Sequence, residues 1–263
     1  MTAVHTETTL APTVPSADDI MTIVASRQVA DGAVCFVGIG VPSIAANLAR
    51  RTHAPNLVLV YESGTIGAKP TMPPLSIGDG ELAETADAVV SVPEIFAYWL
   101  QAGRIDVGFL GAAQIDRFGN INTTVIGPYD APTVRLPGAG GAPEIAANSR
   151  EVVVVLRQST RSFVDRLDFI TSVGHLDGRA SRQRAGLRGR GPTVVITDLG
   201  VLRPEPETNE LVLTAVHPGL DPATAVANTG WPLRIAEHLE VTALPTDDEL
   251  HVLGQLHNAG SRP

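Results

Sequence analysis

Short, strongly apolar runs alternate with helical stretches along most of this chain, and that alternation constrains the fold more than any other feature. Residues 33–38 and 56–61 have the pattern of buried strands, and residues 43–51 between them have the pattern of a helix. Two strands joined by a crossover helix form a βαβ unit, in which the strands run parallel. The pattern therefore predicts an α/β protein built on an open, mostly parallel sheet flanked by helices.

Elements of both kinds continue on either side of this unit. A first helix is predicted to begin at residues 16–19, which supply an N-cap, and to end at Gly32. Residues 199–203 and 210–216 predict a late antiparallel hairpin at the edge of the sheet, and Thr246 is predicted to cap a final helix. Further strands are predicted at residues 88–91, 107–110, 151–156 and 193–197, and further helices at residues 94–101, 144–149 and 223–228.

The length of the chain bears on its domain organisation. Its 263 residues are sufficient for one large core, and we expect a single domain over residues 18–257. Residues 1–17 are expected to form a flexible tail, and residues 258–263 a frayed end. The apolar runs are far shorter than the ~20 residues that cross a bilayer, and residues 1–16 lack the pattern of a secretory signal. We therefore expect a cytoplasmic protein without a membrane segment.

Charge and cysteine content argue against further classes of function. The chain has 28 acidic and 19 basic side chains and a net charge of −9, which argues against nucleic-acid binding. Its one cysteine, Cys35, lies in an apolar run and is expected to be a small buried hydrophobe. The seven histidines show no ligand spacing with Cys, Asp or Glu, so no metal site is predicted. His175 and His217 are expected to be structural.

A carboxylate stands where one predicted strand ends. In a parallel sheet, ligands bind beyond the carboxyl ends of the strands. Glu62 directly follows the strand at residues 56–61, and Gly64 favours a sharp, open loop after it. The sequence leaves two interpretations: a catalytic carboxylate, or a solvated or ion-paired group at a strand end. Ser63 is not expected to be a nucleophile, because Tyr61 stands where the Gly-x-Ser-x-Gly turn requires glycine.

Two glycine-containing loops also follow predicted strands. Gly38 and Gly40 follow the first strand, and Glu62 lies 22 positions after Gly40, as in a dinucleotide fingerprint. Ser43 replaces the third small residue of that motif, so a structural turn is favoured over nicotinamide or flavin binding. Residues 137–144 form the second loop, which runs into a helix. Its successive amides suit an anion or an oxyanion, and a plain turn is the alternative.

Two polar segments are open to more than one interpretation. Asn120 and Asn122 are placed either to donate to a substrate carbonyl or to stabilise their own loop by hydrogen bonds within it. Residues 178–191 carry a cluster of basic side chains in an otherwise acidic protein, for which a solvated mobile loop is favoured over contact with phosphate or a partner. These are Arg179, Arg182, Arg184, Arg188 and Arg190.

Four motifs, taken in order, resemble those of the β (B) subunits of family I CoA-transferases. They are Glu62-Ser63-Gly64, the stretch at residues 114–122, Gly138-Ala139-Gly140-Gly141-Ala142, and His217-Pro218-Gly219. Longer runs at residues 33–40, 66–70, 75–87 and 103–110 carry the same resemblance, which covers about residues 18–250. Tyr-Glu-Ser-Gly stands here where many 3-oxoacid transferases have Ser-Glu-Asn-Gly, and it is similar to glutaconate-type subunits.

The resemblance implies an enzyme that moves CoA from succinyl-CoA to 3-oxoadipate in aromatic degradation, through a glutamyl-CoA thioester on Glu62. It implies that Gly138, Gly140, Gly141 and Asn122 bind CoA or the oxyanion, with CoA as substrate and no permanently bound cofactor. It also implies a separate α subunit, in an αβ or α2β2 assembly with the active site at the interface. A glutaconate-type or other 3-oxoacid transferase, and a CoA-thioester hydrolase of the same fold, are the alternatives.

Overall fold

The computed structural model describes residues 15–260, so most of the predicted tail and the last three residues lie outside the described part. Helix α1, Ala17–Ser26, begins inside the stretch for which a tail is predicted. The reason is a capping box: Ser16 Oγ accepts from the Asp19 amide at 3.1 Å, and the Asp19 carboxylate accepts from the Ser16 amide at 2.9 Å. The expected boundary at residue 18 is therefore two residues too late.

Most strands of the described residues join one large sheet. In chain order the strands are β1 Val34–Val37, β2 Val58–Tyr61, β3 Thr65–Ile66, β4 Ala88–Val89, β5 Val107–Leu110, β6 Gln114–Ile115, β7 Ile121–Asn122, β8 Val125–Ile126, β9 Val134–Arg135, β10 Glu151–Val155, β11 Pro192–Ile196, β12 Gly200–Pro204, β13 Leu211–Val216 and β14 Arg234–Val241. Ten of them form a sheet in the order β14-β13-β12-β11-β10-β5-β1-β2-β3-β4. The strands β6 and β7 form one small hairpin, and β8 and β9 form another.

The centre of the sheet is parallel and both of its sides contain antiparallel pairs. Strands β11, β10, β5, β1 and β2 are neighbours in that order and pair in parallel, which confirms the predicted α/β architecture. The predicted hairpin, β12 and β13, is antiparallel, but it does not lie at the edge. Strand β14 pairs in parallel with the outer side of β13 and is itself the edge strand. The prediction missed β14 because that strand is largely exposed and lacks a continuous apolar run.

Helices cover both faces of the sheet. They are α1, α2 Val41–Arg51, α3 Gly80–Glu84, α4 Val92–Glu94, α5 Ala142–Asn148, α6 Ser181–Arg184, α7 Pro222–Ala227 and α8 Asp247–Gly260, with a π-helix at Ile95–Leu100. Alternate side chains of β1 enter different cores: Cys35 and Val37 lie in the core that contains residues of α1 and α2, and Phe36 lies in the core that contains residues of α5. Cys35 is fully buried, as predicted, and burial raises the pKa of its thiol.

The last helix closes the structure against the first two. Ile23 of α1, Leu48 of α2 and Leu253 of α8 form a small separate core. Helix α8 begins after Thr246, as predicted, and it continues to Gly260 instead of fraying from residue 258. Among the helices of the described residues, none is both long and apolar enough to span a bilayer.

The arginine-rich segment is not simply a solvated loop. It leads into β11 at the amino ends of the parallel strands, whereas Glu62 follows the carboxyl end of β2. Arg182 is 4% exposed, and burial lowers the pKa of its guanidinium to about 10. Its guanidinium donates to the backbone carbonyls of Ala146, Ala147, Val173, Gly174 and Gly189. The expectation of a mobile loop is therefore wrong for Arg182, which ties α5 to the neighbouring loops.

Two histidines have structural partners. His175 Nε2 lies 2.9 Å from the carbonyl oxygen of Pro192, and His217 Nε2 lies 2.7 Å from that of Thr197. The other ring nitrogen of His217 lies 2.9 Å from Thr242 Oγ1. Both side chains are buried, and burial lowers the pKa of each imidazole. These contacts are consistent with the structural role that the sequence predicts.

We expect Arg182→Ala to lower the free energy of unfolding by about 3–5 kcal/mol, because it leaves several buried carbonyl oxygens without a donor. Chemical denaturation of the purified protein measures this loss. Arg184→Ala is the matched control, because Arg184 is exposed and its side chain donates to Ser181 Oγ alone among the described contacts. Equal losses in the two variants would contradict the structural role of Arg182.

Candidate active site

Glu62 stands in a sharp turn at the carboxyl end of β2. The turn is closed by a hydrogen bond of 3.0 Å from the Gly64 amide to the Tyr61 carbonyl oxygen. Gly64 has φ of +111°, and a Cβ at this position would overlap the carbonyl oxygen of Val90. The Val90 amide donates to the Gly64 carbonyl oxygen at 2.9 Å, which fixes the turn against the chain that follows β4. The half-buried Glu62 side chain is therefore held on a rigid loop rather than on a free one.

The predicted glycine-rich loop meets this carboxylate. A Cβ placed on Gly141 would lie 3.1 Å from Glu62 Oε2 and 2.9 Å from Phe96 Cζ. Both distances are shorter than ordinary contacts of a Cβ, so the glutamate approaches the backbone of residue 141 as closely as it does because that residue is glycine. The structure thus brings together Glu62 and Gly141, which are far apart in the sequence.

The amides of the glycine-rich loop have different roles. The Gly138 amide donates to the Thr123 carbonyl oxygen, and Thr123 Oγ1 donates to the Gly138 carbonyl oxygen, each at 2.8 Å. Gly138 therefore anchors the loop, and its amide is already engaged with Thr123. Among the hydrogen bonds of residues 15–260, none is donated by the amide of Gly140 or Gly141. These two amides remain available to an anion or an oxyanion, and Gly141 is the residue that the Glu62 carboxylate approaches.

Asn122 is expected from the resemblance to bind CoA or an oxyanion, and in the structure its side chain is engaged within its own loop. Its side chain is fully buried, and Nδ2 donates to Gln114 Oε1 at 2.8 Å and to the Val125 carbonyl oxygen at 2.6 Å. Its Oδ1 accepts from the amides of Thr124 and Val125. Both Nδ2 protons are in use, so the amide shapes its own loop.

Asn120 has an equivalent structural role. Its Nδ2 donates to Asp116 Oδ2 and to the Leu176 carbonyl oxygen, and its Oδ1 accepts from the amides of Gly174 and Leu176. Burial raises the pKa of Asp116, although the hydrogen bonds from Asn120 and Phe118 act in the opposite direction. These contacts fit the interpretation in which the asparagine side chains of this stretch stabilise the loop structure by hydrogen bonding.

Phe96 is a member of the site that sequence reasoning missed. It lies on the π-helix, within the segment 94–101 for which the sequence predicts an ordinary helix. The Gln101 amide donates to the Phe96 carbonyl oxygen at 2.8 Å, the five-residue spacing of a π-turn. Such turns frequently occur at functional sites. No short sequence signal distinguishes this turn from an α-helix, and the cluster of aromatic residues at 96, 98 and 99 was the available indication.

The Gly38–Gly40 loop forms a turn of the kind favoured by the sequence. Gly40 has φ of +75° and precedes α2 as its N-cap. Ser43, which replaces the third small residue of a dinucleotide motif, is buried, with its Oγ 3.1 Å from the Tyr61 hydroxyl. Burial raises the pKa of Tyr61. In the part of the chain that the structure describes, no group of three or more His, Cys, Asp or Glu side chains is arranged to hold a metal ion.

Comparisons with known proteins give consistent results. The family model for coenzyme A transferase matches residues 19–228. The chain is 62% identical over 241 residues to the B subunit of 3-oxoadipate CoA-transferase from Pseudomonas knackmussii, a match that covers 92% of this chain and 93% of that protein. It is 34% identical over 231 residues to the B subunit of glutaconate CoA-transferase from Acidaminococcus fermentans, covering 86% of each.

Solved structures extend the likeness to the fold. The crystal structure of glutaconate coenzyme A-transferase from Acidaminococcus fermentans matches with a TM-score of 0.86 and 31% identity, covering 92% of this chain and 94% of that one. The decarboxylase AibA/AibB matches with a TM-score of 0.79, 27% identity and coverage of 92% and 94%. The same fold thus occurs in proteins with different reactions, so the fold alone does not identify the chemistry.

We expect Gly141→Ala to lower acyl-CoA turnover by about tenfold to a hundredfold, because the new Cβ displaces Glu62 or Phe96. Steady-state rates of the protein assembled with its partner measure this. Gly80→Ala is the matched control, because a Cβ at Gly80 meets nothing within 4 Å. A Gly141→Ala protein with unchanged turnover would show that the close approach of Glu62 to residue 141 has no role in the reaction.

Proposed function

The chain belongs to the coenzyme A transferase family, and from this premise we propose that it is the B subunit of a 3-oxoadipate CoA-transferase with Glu62 as the covalent nucleophile. The proposed reaction converts 3-oxoadipate and succinyl-CoA to 3-oxoadipyl-CoA and succinate. The observation that carries the mechanism is the close approach of the Glu62 carboxylate to Gly141, whose amide, like that of Gly140, donates no hydrogen bond among residues 15–260. CoA enters this reaction as a substrate.

In the first half of the proposed reaction, Glu62 receives CoA. A carboxylate oxygen of Glu62 attacks the thioester carbon of succinyl-CoA, and the carbon–sulfur bond breaks. CoA thiolate departs, and the succinyl group remains joined to Glu62 as a mixed anhydride. The thiolate then attacks the glutamyl carbonyl carbon of the anhydride and releases succinate. The product is a glutamyl-CoA thioester, so the free energy of the original thioester is retained.

In the second half, CoA passes to the acceptor. A carboxylate oxygen of 3-oxoadipate attacks the glutamyl-CoA thioester, which gives a second anhydride and CoA thiolate. The thiolate attacks the 3-oxoadipyl carbonyl carbon, 3-oxoadipyl-CoA forms, and Glu62 returns to a carboxylate. No proton or electron enters or leaves the enzyme over the full cycle, so the carboxylate and an environment that stabilises oxyanions are sufficient.

The oxyanion of each addition step needs stabilisation. The proposed donors are the amides of Gly140 and Gly141, which donate no hydrogen bond among residues 15–260, and the absence of a Cβ at residue 141 lets its backbone approach the reacting carbonyl. One such donor contributes about 3 kcal/mol, or about a hundredfold in rate. Thr123 holds the loop through both of its contacts with Gly138, so the donors are positioned before substrate binds.

A second subunit completes the proposed enzyme. The relatives with 62% and 34% identity are both named as B subunits, which supports a separate A subunit as the partner of this chain. We propose an αβ or α2β2 assembly with Glu62 at the interface of the two chains. In this structure one side of Glu62 is covered by Gly141 while the side chain remains partly exposed, which leaves room for a wall from the partner.

A glutaconate-type transferase is the second candidate, because Tyr61-Glu62-Ser63-Gly64 is similar to the glutaconate-type pattern. We expect the assembled protein to transfer CoA from succinyl-CoA to 3-oxoadipate at a higher kcat/KM than to glutaconate. A competition assay with both acids, read by chromatography of the acyl-CoA products, measures the ratio. A higher value for glutaconate would assign the chain to the second candidate.

We expect Glu62→Gln to lower the transfer rate by at least about a thousandfold, because a neutral amide does not form the anhydride. The wild-type complex, incubated with succinyl-CoA and borohydride without acceptor, should carry a reduced side chain at Glu62, which peptide mass spectrometry detects. Glu84→Gln, an exposed position on α3, is the control and should retain wild-type transfer. An active enzyme in which the reagent never modifies Glu62 would contradict the proposed mechanism.

A further inference from the structure

We propose that Phe96 is a water-excluding wall of the site, which decides whether the glutamyl-CoA thioester is transferred or hydrolysed. This role rests on the proposed function and adds a residue to it. The reaction on Glu62 requires that water stay away from an activated carbonyl carbon, because hydrolysis of that carbon competes directly with transfer. Phe96 is the large apolar side chain that the structure places against the same glycine as the glutamate.

The geometry places the ring at the edge of the reacting group. The position that a Cβ of Gly141 would occupy lies 2.9 Å from Phe96 Cζ and 3.1 Å from Glu62 Oε2, so these two atoms are at most about 6 Å apart. There is therefore room for at most one layer of small groups between the ring edge and the carboxylate oxygen. The ring edge therefore occupies space beside the carboxylate that water would otherwise fill.

The fold holds this ring in place from behind. Phe96 is half-buried, packs against the core, and has its ring centroid 6.3 Å from that of the buried Phe36 in a tilted arrangement. The π-helix is anchored at its start by a capping box between Ser91 and Glu94. Near its end, Gln101 Nε2 donates to Glu144 Oε2 of α5 at 3.4 Å. Phe96 is thus packed against the core and the loop that carries Gly141, which suits a fixed wall.

The reaction that competes with transfer is hydrolysis of the glutamyl-CoA thioester. Water attacks the glutamyl carbonyl carbon of the glutamyl-CoA thioester, the carbon–sulfur bond breaks, and CoA leaves as thiolate. One proton of the water reaches the thiolate, the other goes to solvent, and Glu62 returns to a carboxylate. The net result is hydrolysis of one acyl-CoA to its acid and free CoA, without any acceptor. An enzyme that conserves the thioester must make this step slow compared with transfer.

The test compares two rates of the same complex, assembled with its A subunit. The first is release of free CoA from succinyl-CoA without acceptor, read with a thiol reagent, and the second is formation of 3-oxoadipyl-CoA. We expect Phe96→Ala to raise the ratio of hydrolysis to transfer by at least about tenfold. Phe96→Leu, which retains an apolar side chain of similar reach, should raise it by less.

Tyr98→Ala is the matched control, because Tyr98 is an aromatic residue of the same π-helix that is 61% exposed. Its ratio should equal that of the wild type. A purely structural role of Phe96 would lower both rates together and leave the ratio unchanged, and that result would overturn the proposal. Should Phe96→Ala fail to fold, the same ratio in Phe96→Leu decides: a rise supports the wall, and an unchanged ratio rejects it.

A failure of the Phe96 proposal can be distinguished from a failure of the proposed function. Borohydride labelling of Glu62 in each variant reports whether the covalent intermediate forms at all. Labelled Glu62 with an unchanged ratio rejects Phe96 as the wall while the nucleophile stands. Wild-type enzyme that transfers CoA with Glu62 unlabelled rejects the proposed mechanism itself, and with it the role of Phe96.

Discussion

The close approach of the Glu62 carboxylate to the backbone at Gly141 is the interaction on which the rest of the site depends. It requires that residue 141 have no side chain, and it places the carboxylate beside a loop in which the amides of Gly140 and Gly141 donate no hydrogen bond among residues 15–260. A carboxylate is a weak nucleophile, so orientation and oxyanion stabilisation must supply much of the rate. Oxyanion stabilisation by backbone amides does not depend on the rotamer of a donor side chain, and the glycine at residue 141 leaves the space in which the Glu62 carboxylate lies.

Three local features hold that geometry. The turn that carries Glu62 is locked because Gly64 lies against the Val90 carbonyl, where a Cβ would collide. The glycine-rich loop is anchored by two hydrogen bonds between Thr123 and Gly138. Helix α5, which follows that loop, is tied at its far end by Arg182, a buried cation whose guanidinium donates to backbone carbonyls. The site is therefore supported from both ends of α5 and from the neighbouring strand.

The sequence predicted the parts of the fold that local pattern determines. The apolar runs of β1, β2, β5, β10 and β11 predicted the parallel centre, and the position of Glu62 after β2 predicted a carboxylate at its carboxyl end. Strand β14 was missed because an exposed strand need not carry an apolar pattern. The partners of Asn122 within its own loop were not predictable, because a sequence shows that an amide is present and not which partner it has.

Phe96 and Arg182 illustrate the limit of sequence pattern in a different way. A π-turn has the same composition as the helix predicted there, so the register that brings Phe96 to Gly141 becomes visible only in three dimensions. Arginine is most often exposed, and the burial of Arg182 follows from carbonyl groups contributed by several separate loops. In both cases the deciding contacts join segments that are distant in the chain.

Isotope transfer tests the central claim most directly. If Glu62 forms anhydrides with both acids, each turnover passes one oxygen of the acceptor carboxylate to the glutamate and one oxygen of the glutamate to succinate. The complex is incubated with succinyl-CoA and 3-oxoadipate labelled with oxygen-18 in its carboxylates, and the peptide that contains Glu62 is then analysed by mass spectrometry. We predict that heavy oxygen appears in Glu62 as 3-oxoadipyl-CoA accumulates. Product that accumulates over many turnovers while Glu62 keeps its original oxygens would contradict the account.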